Sequence, residues 1–358
     1  MSDDRASRTA AEERVHQFMI EYAAQWRIAA PAFEQRDPDN PLAAFDRWTE
    51  LMAQTRRNHF TETSTVQLAQ AFGDPADYGP EAERFVRSEI DGDVAYVLTR
   101  STSPLTYFHE YTLRSQGADW RIAAIDRHLG DPTEPFVDPA TVEDYRSVCG
   151  PAVPLAELPR EQARMDHARN FTTREVRSDD GEVVRAEVSA IGTLVTTSGV
   201  LSVLDFGLDN DDARPLARIV PPGSYPVDRV TAFGRNAAVR VRFSAQQPVS
   251  WHPADPPGGG HVFGVDTGCA CIVDYVGYSA MTRREKAAAY QRFGTMARPS
   301  ARAFRLGGED VGVAFDSGYG DGGYPAYWGV DAAGTIAQLV VDFMVLATED
   351  DDGVIRHR

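Results

Sequence analysis

The chain has 358 residues and a formal net charge of −17. Its hydrophobic share of 42% and charged share of 25% are those of an ordinary soluble protein with two or three domains, and no run of about 18 apolar residues offers a membrane helix. Residues 1–140 carry 14 Arg against 24 Asp+Glu, a balance of −10, and the remainder carries −7, so no basic stripe meets phosphates and a nucleic-acid partner is not expected.

Three cysteines, Cys149, Cys269 and Cys271, make no disulfide framework. The N-terminus lacks an apolar leader, and a cytoplasmic protein is the simplest expectation. Lys286 is the only lysine, an arginine bias typical of a GC-rich genome. An acidic surface steers a basic protein partner toward it.

Residues 1 to about 10 read as a disordered tail. From Ala11, the apolar residues Val15, Phe18, Met19, Tyr22 and Trp26 fall at helical spacing. Pro31, Asp37-Pro38 and Pro41 are expected to break this helix. A second helix, Leu42 to about Arg56, places Phe45, Trp48, Leu51 and Met52 on one face. Four strands follow. Arg84–Ile90 and Val94–Ser101 flank the hairpin signal Asp91-Gly92-Asp93, and Thr106–Arg114 and Trp120–Arg127 flank a turn at Ser115–Asp119. Helices followed by a meander predict an α+β domain over residues 11–135.

The segments E-R-V-H-Q-F-M (Glu13–Met19) and H-E-Y-T-L-R-S-Q-G-A-D-W-R-I (His109–Ile122) resemble the nuclear transport factor 2-like fold. More narrowly, they resemble the immunity proteins of that fold in bacterial polymorphic toxin systems. The resemblance implies helices on a curved antiparallel sheet, often with an apolar-walled pocket, and a toxin as partner. Alternation along Thr106–Arg114 puts Tyr107, His109, Tyr111 and Leu113 on one face. His109 is then a candidate pocket base or a satisfied sheet histidine, and Asp126 is the carboxylate considered with it. Fold alone supplies no catalysis.

Residues 136–167 read as a proline-rich bridge, with a short helix start at Thr141–Asp144. From 168 to 347 the composition turns to many short strands with Gly/Pro turns, a β-rich α+β domain with one convincing helix at 282–297. The motifs G-T-L-V-T-T-S-G-V-L-S-V-L-D, P-P-G-S-Y-P-V, R-V-R-F-S, F-G-V-D-T-G-C-A-C-I-V-D and Y-W-G-V-D-A-A-G stand in order here. They resemble the bacterial domain-of-unknown-function family 4241, a resemblance that implies a bacterial protein and no activity. Asp205-Phe206 departs from it, since proline is expected after that aspartate.

The stretch His261–Tyr278 is apolar yet carries Asp266, Asp274, two cysteines and three glycines, and reads as a buried strand or strand pair. Read as one strand from Asp266 to Asp274, it sets both aspartates on one face, where a carboxylate needs a partner. Asp266 is expected to be buried against backbone amides near Gly268. Asp266-Thr267-Gly268 and Asp316-Ser317-Gly318 share a D-[S/T]-G pattern, but their spacing is too short for two aspartic-protease lobes, and turn-forming aspartates are the better reading. Cys269-Ala270-Cys271 with His252 or His261 lacks zinc-site spacing and reads as buried free cysteine. Asp310, Asp316, Asp321 and Asp331 lie among glycines without a calcium-loop pattern, so a solvated loop is expected. No phosphate loop or dinucleotide fingerprint occurs, and no cofactor is expected.

These readings lead to a two-domain, non-enzymatic binding protein that neutralises a cognate toxin. The candidate binding residues are Tyr107, His109, Tyr111, Asp126, Asp266, Asp274, Asp316 and Asp331. The alternative is a small-molecule-binding protein or hydrolase with a site around Asp266 and Asp274. The oligomeric state has no sequence signal.

Overall fold

The computed structural model describes residues 2–35, 40, 42–117, 119–158, 165–207, 213–349 and 353–358. The chain divides into two units, Met1–Pro132 and Thr133–Arg358.

Helix α1 (Ser2–Glu34) opens the first unit and includes the residues expected to form a disordered tail. Ala6, Ala10, Ala11, Glu12 and Glu13 are strong helix formers, so nothing stops the helix from reaching back. Its buried stripe is Ala11, Val15, Phe18, Met19, Tyr22 and Ala29. Pro31 does not break it. The helix runs on to Glu34, and the Gln35 N–H bonds the Pro31 carbonyl at 3.0 Å. Asp37-Pro38 and Pro41 lie outside the described residues.

Helix α2 (Ala43–His59) buries Ala44, Trp48, Met52, Thr55 and His59, one face at three- and four-residue steps. Phe45 and Leu51, expected on that face, are half-buried at its margin.

Strands β1 (Glu83–Asp91), β2 (Val94–Ser101), β3 (Phe108–Gln116) and β4 (Asp119–His128) form an antiparallel meander in the order β1-β2-β3-β4. Asp91 pairs with Val94, so Gly92 and Asp93 alone make the first turn. Gly92 supplies the positive φ (61°) that such a turn requires. The core joins Phe18, Tyr22 and Trp48 from the helices to Tyr111, Leu113 and Ile122 from the sheet. This is the α+β layout expected of the segment.

The second unit begins earlier than residue 168. Phe136 and Val137, read as bridge, are buried in its core beside Tyr278. Helix α3 (Pro139–Ser147) follows, capped by Asp138, whose carboxylate accepts the Ala140 N–H at 2.7 Å. Prolines interrupt backbone pairing, but they do not keep the apolar side chains between them out of a core. Pro159 lies outside the described residues.

The strands that follow are β5 (Arg174–Arg177), β6 (Val183–Thr196), β7 (Leu201–Asp205), β8 (Gly223–Ala232), β9 (Arg235–Arg242), β10 (Ser250–Pro253), β11 (Val262–Val265) and β12 (Cys269–Asp274). After helices α4 (Tyr275–Ser279) and α5 (Arg283–Gly294) come β13 (Ala301–Arg305), β14 (Val311–Asp316), β15 (Gly322–Val330), β16 (Ile336–Asp342), β17 (Ala347–Glu349) and β18 (Ile355–His357). α5 starts with a capping box between Thr282 and Glu285.

All pairings in this unit's strands are antiparallel, along the path β10-β15-β16-β9-β8-β6-β14-β12-β7. β10 and β11 pair in turn with β15, and β11 also comes alongside β7. Alternation sorts β12 and β14 into two cores. Ala270, Ile272, Val313 and Phe315 join the large strand core with Leu339 and Val341. Cys269, Cys271, Val273 and Ala314 face the helical layer with Tyr278 and Phe293.

The stretch His261–Tyr278 is therefore not one strand. β11 ends at Val265, Asp266-Thr267-Gly268 turns with Gly268 at φ 67°, and β12 runs into α4. Asp266 and Asp274 share no strand face. No helix among the described residues is long and apolar enough to cross a membrane.

Candidate functional site

In the first unit, His109 and Tyr111 point to one carboxylate, and it is Glu83. His109 Nδ1 lies 3.1 Å from Glu83 Oε2, with the two side chains 5% and 0% exposed. The Tyr111 hydroxyl donates to both Glu83 oxygens at 2.8 and 3.0 Å, and the Thr99 hydroxyl donates to one of them. Burial first, then the Glu83 charge, pushes the Tyr111 phenol well above its ordinary range, so it stays a donor. The rings of Tyr78 and Tyr107 lie 4.9 and 5.0 Å from that of His109, and the Arg127 guanidinium stacks 5.1 Å from Tyr107.

Asp126 does not join this set. It pairs across the sheet with Glu110, while His109 pairs with Arg127, so strand alternation turns Asp126 to the other face.

In the second unit, the aspartates that sequence singles out hold turns together. Asp274 is fully buried and accepts from Ser198 N (3.0 Å), Ser198 Oγ (2.7 Å), Gly277 N (2.9 Å) and Thr196 Oγ1 (2.5 Å). Asp316 accepts the Ser300 N–H and lies 3.1 Å from Arg298 Nη1. Asp331 accepts the N–H groups of Ala333 and Thr335, both at 2.9 Å. Asp310 binds both the N–H and the hydroxyl of Thr197, and is buried rather than solvated.

The expected role of Asp266 belongs instead to Asp205. Asp205 is buried and accepts Gly207 N (2.7 Å), Asp266 N (2.5 Å), Thr267 N (3.1 Å) and Thr267 Oγ1 (2.6 Å). Asp266 is exposed, and its N–H is the group that Asp205 engages. Cys271 is fully buried, and burial drives its thiol well above the usual range. The described residues contain no group of three or more His, Cys, Asp or Glu placed to hold a metal.

Between β7 and β11 lies a cavity of about 450 Å³. Val203, Leu204 and Asp205 line one side, and His261, Val262, Phe263 and Asp266 line the other. Of the two aspartates proposed as a site, only Asp266 reaches this cavity's wall.

Residues 194–341 match the family described as "Protein of unknown function (DUF4241)". The match covers less than half of the chain, and it spans the whole cavity wall from Val203 to Ala326. The C-terminal part is thus similar to that family, whose description carries no activity. No curated protein and no solved structure matches the chain.

Sequence reasoning missed Glu83 and Asp205. Asp205 has a readable signal, since it ends the apolar run Val200–Leu204 and a carboxylate there needs donors. Glu83 has none: it sits at the start of β1, and only the fold brings it to His109.

Proposed function

We propose that the chain is a non-catalytic binding protein that holds a cognate bacterial polymorphic toxin inactive inside the producing cell, with the N-terminal unit as the main contact. The observation that carries this reading is the closure of the set around His109, the histidine that the sequence offers as a pocket base. His109 and Glu83 are almost wholly buried, and Glu83 already accepts from Tyr111 and Thr99. A base enclosed in this way is closed to a substrate. The resemblance of Glu13–Met19 and His109–Ile122 to immunity proteins names the partner class. The −10 balance of residues 1–140 supports capture of a basic toxin.

The hydrolase alternative loses support because Asp274 is occupied by four donors and has no exposure.

Co-expression of the whole chain with the toxin encoded beside its gene tests the proposal. Protection and co-purification are expected, with association slowing as salt rises and dissociation responding less. A chain that neither protects the cell nor co-purifies overturns the reading. Protection by residues 133–358 alone keeps the role and moves it to the second unit.

A further inference from the structure

We propose that the cavity between α5 and β13 binds a small organic anion with an aromatic body. This goes beyond the toxin reading and stands independently of it.

The cavity has a volume of about 310 Å³, at the small end of ordinary ligand sites. Arg292, Arg302 and Arg305 line it, and among the described residues no carboxylate does. The chain carries 53 Asp and Glu against 36 Lys and Arg, so acids are in excess as partners for its arginines. Yet the exposed guanidiniums of Arg292 and Arg302 have neither a hydrogen bond nor an ion pair among the described residues.

Strand pairing decides which of these arginines face the cavity. Arg302 pairs with Ala314 and Phe304 with Gly312, two steps apart, so Arg302 and Phe304 share the face of β13 turned toward the helical layer. Arg305 alternates to the other face and is left out of the contact set. On α5, Ala289 and Phe293 are buried four positions apart, and Arg292 stands at the edge of that face. Phe304 is half-buried and lines the cavity. Phe206, with no exposure, backs it at a ring-centroid distance of 4.6 Å and meets the Phe293 ring edge-on at 5.8 Å. An aromatic face flanked by two unpaired guanidiniums fits a flat apolar body that carries a carboxylate. A guanidinium gives such a carboxylate two parallel N–H donors and stacks on aromatic rings.

Two opposing effects are too weak to cancel this. The C-terminus of α5 presents about half a negative charge near Arg292, against the two full positive charges of the arginines. The net charge of −17 repels anions at long range, but salt screens it over about 8 Å at physiological ionic strength.

Calorimetric titration of the whole chain with 3-phenylpropionate, 2-phenylethylamine and inorganic phosphate at physiological salt tests this. The phenylpropionate is expected to bind saturably and the amine not at all. Phosphate should bind about tenfold more weakly or worse, because it leaves Phe304 uncovered. Arg302→Gln should weaken the phenylpropionate by about tenfold with an unchanged melting temperature, since an exposed side chain without a partner adds little stability. Arg292→Gln should weaken it in the same sense. Phosphate that binds as tightly as the phenylpropionate overturns the aromatic body. Equal binding of the amine, an Arg302→Gln chain that binds as the parent does, or no binding of the phenylpropionate at millimolar concentration overturns the proposal.

Discussion

Buried carboxylates in the first unit meet histidines. Glu83 lies beside His109, the half-buried Glu21 bonds His59 at 2.8 Å, and Glu110 lies 3.9 Å from His128. In the second unit they mostly meet backbone amides, as Asp205, Asp274, Asp310, Asp316 and Asp331 do. Two exceptions in the second unit are Asp342, bonded to His167 at 2.9 Å, to Asn170 and to the Met344 N–H, and Asp228, paired with Arg240 and Arg242. The difference is one of what the partner can do. An amide has one protonation state and fixes a turn, whereas an imidazole exchanges protons and makes its carboxylate sensitive to pH. The second unit uses aspartates as rivets for a many-stranded sheet, and the first sets its glutamates beside histidines.

Removing a rivet should do most harm. Asp274→Ala leaves Ser198 N, Gly277 N and two hydroxyls without their acceptor at a site with no exposure. A loss of about 3–5 kcal/mol is expected from several unsatisfied buried donors, read by denaturant unfolding. A loss under 1 kcal/mol would break the rivet reading. Glu83→Ala should cost less, about 2–3 kcal/mol, because the Tyr111 and Thr99 hydroxyls can reorient. Equal losses in the two variants would erase the distinction between the units.

Acidification sharpens the same comparison with a smaller effect. Burial, the leading cause, lowers the His59 pKa despite Glu21, so the unfolded chain takes up its proton first and stability falls as pH drops below about 6.5. His261 and His357 of the second unit, also lowered first by burial, add to this window. For Glu21, burial raises the pKa, but the hydrogen bonds of Asn58, His59 and Thr55 and the His59 charge outweigh it and hold it low. Asp342 follows the same pattern, with His167 as the main opposing partner. Stability from these two is present above pH about 4 and is lost as pH falls through their lowered values. Melting temperature should therefore fall in two stages between pH 7 and 3. His59→Gln should flatten the first stage. An unchanged slope in that variant would remove His59 from the account.

How much of this was legible follows from the range of the interactions. The hairpin at Gly92-Asp93 and the α2 stripe at Trp48 and Met52 are local, and the sequence marks them to within a residue or two. The face shared by His109 and Tyr111 follows from strand alternation alone. The partner of that face does not, since Glu83 is 26 positions from His109 and meets it only through the sheet. The same holds for Asp205, whose donors at Asp266 and Thr267 lie about 60 residues on. Proline counting failed at Phe136 because prolines report backbone pairing and carry no information about burial. Around Asp266 the single-strand reading fails and the turn reading of D-T-G holds, because Gly268 at φ 67° requires a turn.

The smallest expected effect is the one that separates the two aspartates most sharply. Asp266→Ala should change the melting temperature little, within about 0.5 kcal/mol of stability, because an exposed carboxylate without a partner among the described residues contributes no buried hydrogen bond. The Asp266 N–H that Asp205 accepts belongs to the backbone and survives the substitution. Asp205→Ala, by contrast, strips the acceptor from two N–H groups of the same turn and from the Thr267 hydroxyl, and should approach the loss seen for Asp274. The pair of variants, measured together in one denaturant series, distinguishes a carboxylate that builds the turn from one that the turn displays. If Asp266→Ala proved as damaging as Asp205→Ala, Asp266 would be structural too.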